Sequence, residues 1–153
     1  MNEFYEVEKV VEVMENGGMV LYPTDTVWGI GCDALNAQSI ENIYNLKKRP
    51  KNKSFILLVD SLEMLKVYVK SLHPRIETLL LYHQRPLTII YDDPQNLPET
   101  LIHEEQGTVA IRLTQDKFCR QIIEKLGRPI VSTSANVSGQ TFSGHFGGVS
   151  SEI

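Results

Sequence analysis

Cysteine is scarce in this 153-residue chain: there are two, Cys32 and Cys119, far apart and with no other Cys or His at metal-ligand spacing. That excludes a disulfide framework and a zinc site, and predicts two reduced thiols. The histidines, His73, His83, His103 and His145, are equally scattered, so no metal site is expected from them. Long apolar runs are also missing. Phe55 to Val59 and Leu79 to Leu81 are typical, far short of the ~20 residues that cross a bilayer, and a membrane span is excluded. The start, Met1-Asn2-Glu3-Phe4-Tyr5-Glu6, lacks the basic, apolar and small-residue regions of a secretory signal, which predicts a cytoplasmic location. Basic residues are outnumbered, 15 Lys plus Arg against 19 Asp plus Glu, for a net charge of −4. Wholesale coating of a nucleic acid is disfavoured, although a local basic patch is not.

What is present suits one domain. With 42% apolar and 22% charged residues the chain is composed like a globular protein. A chain of this size buries roughly 68–70% of its unfolded surface, enough for a core without staples. Helical spacing of Phe4, Val7, Val10, Val11 and Met14 predicts a helix over 3–15, stopped at Asn16-Gly17-Gly18. Met19 to Tyr22 reads as a short strand cut by Pro23, and a Gly-containing loop runs through Gly29, Gly31 and Asp33. Ser39 is expected to cap a helix bearing Ile40, Ile43 and Leu46, and Phe55 to Val59 reads as a buried strand.

Two further helices are predicted, from Ser61 to Val69 and from His73 to His83, then a strand from Pro86 to Tyr91. Asp92 to Glu105 reads as turn-rich and exposed. A strand over Thr108 to Leu113, a helix over Gln115 to Leu126 ended by Gly127, and a short strand over Pro129 to Val131 complete the pattern. No internal repeat appears, and the tail from Gln140 is rich in Gly and Ser. Interleaved helices and strands predict a single α/β domain with a mixed, twisted, open sheet flanked by helices.

Three segments at predicted strand ends carry groups that bind anions. In Tyr22-Pro23-Thr24-Asp25-Thr26-Val27-Trp28-Gly29-Ile30-Gly31, the hydroxyls of Thr24 and Thr26 suit a small polar substrate, and the glycines permit close backbone approach. The same residues also read as a turn satisfying its own backbone. Positions 47 to 53 hold five basic residues, among them Lys47, Arg49 and Lys53. Lys as a point charge beside Arg as a bidentate clamp suits a polyphosphate; a solvated basic helix end and an RNA-backbone contact are the alternatives. Ser132-Thr133-Ser134-Ala135-Asn136 supplies hydroxyls, an amide and free backbone N–H groups for phosphate oxygens or a base edge, or else caps a helix. No Walker loop or dinucleotide fingerprint competes for that role.

In this order the segments, with Leu46-Lys47-Lys48-Arg49-Pro50, Arg85-Pro86-Leu87-Thr88, Val109-Ala110-Ile111-Arg112 and Ser132 to Gly139, resemble the Sua5/YciO/YrdC family of L-threonylcarbamoyladenylate synthases. The resemblance covers Met19 to Gly139. It implies a YrdC-like fold with a concave basic cavity, and an ATP-dependent nucleotidyltransferase joining L-threonine, bicarbonate and ATP into threonylcarbamoyl-AMP and pyrophosphate. It further implies Mg²⁺ carried with ATP, no resident metal, and a product passed to a downstream threonylcarbamoyl transferase complex for N6-threonylcarbamoyladenosine formation in tRNA.

Carried over by position, the resemblance makes Lys47 and Arg49 catalytic and places Thr24 and Thr26 at threonine. The nucleotide falls to Lys47, Arg49, Lys53, Arg112, Ser132, Ser134 and Asn136. Gln84-Arg85-Pro86 stands where many members have Pro-Gly-Pro, and Leu58 where some carry a His. Members continue past the Ser-x-Asn region with another helix and strand. Read as one domain over 1–153, this sequence is expected to lack that closing segment, either as a naturally short protein or as a truncated one. The alternative function is a module that binds tRNA, double-stranded RNA or a nucleotide without turnover.

Overall fold

A computed structural model describes residues 3–23, 28–47 and 55–134. Among these, the elements in chain order are α1 (Glu3–Glu15), β1 (Val20–Pro23), β2 (Trp28–Asp33), α2 (Ala37–Lys47), β3 (Ile56–Val59), α3 (Leu62–Tyr68), α4 (Pro74–Tyr82), β4 (Thr88–Tyr91), β5 (Val109–Leu113), α5 (Lys117–Leu126) and β6 (Ile130–Ser134). The strands form one six-stranded sheet in the order β1-β2-β6-β3-β5-β4. Only the β3–β5 pair is parallel; the others are antiparallel. The expected mixed α/β sheet is what the chain forms.

Side chains alternate across the sheet and divide the core in two. Leu57, Val59, Ile111 and Val131 join Ile40, Ile43 and Tyr44 of α2 and Leu65 of α3 on one face. Ile56, Leu58 and Ile130 turn to the other face, against Val7, Val11 and Met14 of α1 and Cys119, Ile122 and Ile123 of α5. With both faces of β3 covered, its Ile-Leu-Leu-Val run is what a central strand requires.

Caps set the helix starts. Ser61 Oγ accepts from the Met64 amide at 3.2 Å, Asp116 Oδ2 from the Cys119 amide at 2.9 Å, and His73 Nδ1 from the Arg75 amide at 3.0 Å. Gly127, at φ 75°, ends α5 in the left-handed conformation. At α2 the capping residue is Asn36, not Ser39: Asn36 Oδ1 accepts from the Ser39 amide at 3.1 Å. Ser39 Oγ instead donates to Gly17 O at 2.8 Å, tying α2 to the turn after α1. Nearby, Asp33 is buried where β2 ends, accepting from the Leu35 amide and pairing with Arg128 at 3.1 Å.

Three segments differ from the sequence expectation. Residues 28–33 are a sheet strand, not a loop, because packing with β1 and β6 outweighs the low strand propensity of two glycines. Ser132, Thr133 and Ser134 belong to β6, which is longer than the apolar run Ile130-Val131 indicates. Residues 92–105 are not uniformly exposed: a 3₁₀ turn at Glu99–Leu101 buries Leu101 in the core. Turn-forming residues signal a change of direction, not where the segment lies.

Candidate functional site

Strand register brings the described residues that flank the three anion-binding segments to one end of the sheet. β1 closes its pairing with β2 at Pro23↔Trp28, which marks that end. Ser134, the last residue of β6, pairs with Gly29 near the start of β2. Ile56, the first residue of β3, pairs with Ser132, so β3 begins at the same end. Pro23 and Ser134, about a hundred residues apart in sequence, thus lie at the same end.

Lys47 joins two of them. It is the last residue of α2 and is 1% exposed. Its Nζ donates to Thr133 Oγ1 at 2.7 Å and to Ser134 O at 2.8 Å. A buried ammonium is costly unless oxygen acceptors surround it, so the end of β6 and the last turn of α2 hold each other in place. A solvated basic helix end, one alternative for the run 47–53, is excluded for Lys47 by its burial.

The neighbouring strand positions face the other way. Ser132 Oγ accepts from the Tyr22 hydroxyl at 2.9 Å, on the face occupied by α1 and α5. Tyr22 is fully buried, and desolvation pushes its phenol well above the usual range, with a smaller contribution from nearby Cys119. Arg112 lies on that same face, opposite Leu58 of β3 and Thr88 of β4. Its Nε donates to Thr88 Oγ1 at 2.9 Å. The structure therefore groups Lys47 with Ser134, and Ser132 with Tyr22. Arg112 is tied to Thr88 at the β4 edge, two strands from β6.

Thr24, Thr26, Arg49, Lys53 and Asn136 lie outside the described residues. Two contributors escaped sequence reading. Tyr22 was legible only as a core residue of a strand, because its polar partner is 110 residues away. Thr133 was part of the hydroxyl-rich segment, with nothing to distinguish it from its neighbours.

A cleft of about 460 Å³ lies elsewhere, lined by Glu41, Tyr44, Glu99, Thr100, His103 and Glu104 among others. It shares no lining residue with the Lys47 group, and its carboxylates would repel a polyphosphate. Among the described residues, no group of three or more His, Cys, Asp or Glu side chains is placed to hold a metal ion. No helix among them is long and apolar enough to cross a membrane.

The Sua5/YciO/YrdC family model, described as "Telomere recombination", matches residues 12–153. The chain belongs to the Sua5/YciO/YrdC family. Within it, a threonylcarbamoyl-AMP synthase of Hydrogenovibrio crunogenus is 36% identical over 139 residues, covering 88% of this chain and 74% of that protein. Among solved structures, P. abyssi Sua5 complexed with L-threonine superposes with a TM-score of 0.83 at 29% identity, covering 92% of this chain. E. coli YciO gives 0.78 at 25% identity over 92% of this chain and 68% of its own. This Sua5/YciO/YrdC chain spans only 41% of the Sua5 chain that it matches.

Proposed function

We propose that this chain is a threonylcarbamoyl-AMP synthase, and the observation that carries the reading is the buried Lys47 ammonium at the end of β6. The relatives' names support the same activity. Threonine and bicarbonate first condense to the N-carboxylate with loss of water. A carbamate oxygen then attacks the α-phosphorus of ATP, the bond to the bridging oxygen breaks, and pyrophosphate leaves. No protein nucleophile is needed. Lys47 and Arg49 offset the charge that passes to pyrophosphate, with Arg112 and the Mg²⁺ that arrives on ATP.

In this reading Thr24 and Thr26 hold threonine, while Lys53, Ser132, Ser134 and Asn136 complete the nucleotide site. A concave basic cavity holds both reactants in line and keeps water from the short-lived carbamate. The product is an activated acyl adenylate, which a cytoplasmic transferase acting on tRNA would consume. Direct contact with tRNA, if made, uses the basic run 47–53 and weakens with salt, the log–log slope falling by roughly 0.7–0.9 for each phosphate contact removed.

The test is incorporation of radiolabelled bicarbonate into an adenylate, dependent on both threonine and ATP, with stoichiometric pyrophosphate. A folded protein that binds ATP but releases no pyrophosphate would overturn the synthase reading and leave the non-catalytic binding module.

A further inference from the structure

We infer that Tyr22 is a positioning residue: its hydroxyl turns Ser132 into a directed hydrogen-bond donor toward an anionic oxygen of the substrate. Tyr22 sits on β1, yet its hydroxyl reaches across β2 to Ser132 Oγ on β6, 2.9 Å away. The path is open because β2 has Gly31 there, directly opposite Ser132. A Cβ on Gly31 would stand 2.9 Å from both Cε1 and the hydroxyl of Tyr22, and 2.7 Å from Val131 O. On its other side the ring meets Phe118, with centroids 6.2 Å apart. The phenol is thus lodged with a single orientation, aimed at Ser132.

Direction follows from chemistry. A phenol is a better donor and a poorer acceptor than an aliphatic hydroxyl, so Tyr22 gives its proton to the bond and Ser132 Oγ accepts. Burial keeps the phenol protonated at every working pH. Among the described residues neither hydroxyl has another side-chain partner. Ser132, half-buried where Tyr22 is fully buried, therefore keeps its own hydrogen to donate outward, and accepting from Tyr22 strengthens that donation. Its fitting acceptor is a carboxylate or phosphate oxygen. In the proposed reaction that oxygen belongs to threonine or to ATP. The inference rests on that reading for the identity of the ligand.

The experiment is a double-mutant cycle with Tyr22→Phe, which keeps the ring, and Ser132→Ala. It is read as kcat, as separate KM values for threonine and ATP, and as calorimetric Kd values for both. Tyr22→Phe should melt within a few degrees of the wild type. It should lose about three- to tenfold in kcat/KM for whichever substrate presents the oxygen, the size of one hydrogen bond. Ser132→Ala should lose at least as much, Ser132→Thr should restore function, and the double variant should be no worse than Ser132→Ala alone. The substrate whose Kd moves distinguishes carboxylate from phosphate. Full activity in Tyr22→Phe, or losses that multiply in the double variant, would overturn the positioning role in an active enzyme. A wild type that binds either ligand without turnover overturns the synthase reading alone, and the cycle is then read in Kd. Binding of neither ligand overturns both.

Discussion

Lys47 and Thr133, 86 residues apart, meet at 2.7 Å, so a hydrogen bond joins the last turn of α2 to the end of β6. The ammonium is held by that hydroxyl and by Ser134 O, so it is oriented before any substrate arrives. Fixed charge that need not reorganise during reaction is the form of electrostatic catalysis that contributes most.

Lys47→Met preserves the apolar stem and deletes the ammonium. Thr133 and Ser134 O lose a buried donor, which should lower stability by about 1–3 kcal/mol in urea titrations. Synthase activity should fall by roughly a hundredfold or more, as for removal of a single transition-state donor. Wild-type turnover in a folded Lys47→Met protein would rule out its catalytic assignment.

Gly31→Ala tests the close approach of three strands. Its new methyl meets Val131 O at 2.7 Å and the Tyr22 ring at 2.9 Å, so backbone has to move. The expected cost is about 1–3 kcal/mol, with activity lost alongside. Gly107→Ala is the control. There the added carbon meets open space, and only the positive φ of 66° is strained, for roughly 1–2 kcal/mol. Thermal melts should rank the two, and activity should separate them.

Arg112→Ala removes a cation and the partner of Thr88. If the guanidinium serves the nucleotide, KM for ATP should rise about tenfold or more, as expected for loss of a charge-assisted hydrogen bond. Thr88→Val leaves the charge and removes only its anchor, so a smaller rise is expected. Steady-state kinetics at saturating threonine measure both, and an unchanged KM in Arg112→Ala would remove this residue from the nucleotide site.

Stability should fall at alkaline pH. Desolvation is the main reason that the Cys32 thiol is pushed up from 9.0 to about 12, with repulsion from Asp33 adding to it; burial likewise lifts Tyr91 from 10.0 to about 12. Between those limits the unfolded chain releases protons that the folded chain keeps. The stabilisation is therefore complete below about pH 9 and is lost as pH rises toward 12. Unfolding free energies from urea titrations at increasing pH should decline by on the order of a few kcal/mol. A thiol reagent at pH 8 should label Cys32 and Cys119 only on unfolding, since both are buried.

Legibility varied with the range of the interaction that shapes each element. α1, bounded by a helical apolar stripe and two glycines, was readable to the residue because its signals are local. β3 was readable because a strand buried on both faces needs an unbroken apolar run. β2 was not, since its glycines look like a loop and only the crowding of Gly31 by Val131 O and the Tyr22 ring explains that glycine. Ser39 suits the cap of α2 by residue type, but Asn36 stands just before the first helical residue, three positions ahead of the amide it accepts from. Of the site, the three segments were legible as anion binders. Their partners were not: neither Lys47 with Thr133 nor Tyr22 with Ser132 has any mark in local sequence.

From the sequence alone came the interleaved helices and strands, the near balance of charge, the ordered motifs and the family they indicate. Those depend on periodicity, composition and short spacings, which a linear chain carries in full. Only the tertiary structure decided that Pro23, Lys47 and Ser134 lie at one end of the sheet, that Lys47 is buried, and that Ser132 and Thr133 face opposite ways. Strand order and register arise from packing between residues far apart in the chain, and a shift of one position would exchange the two faces of β6.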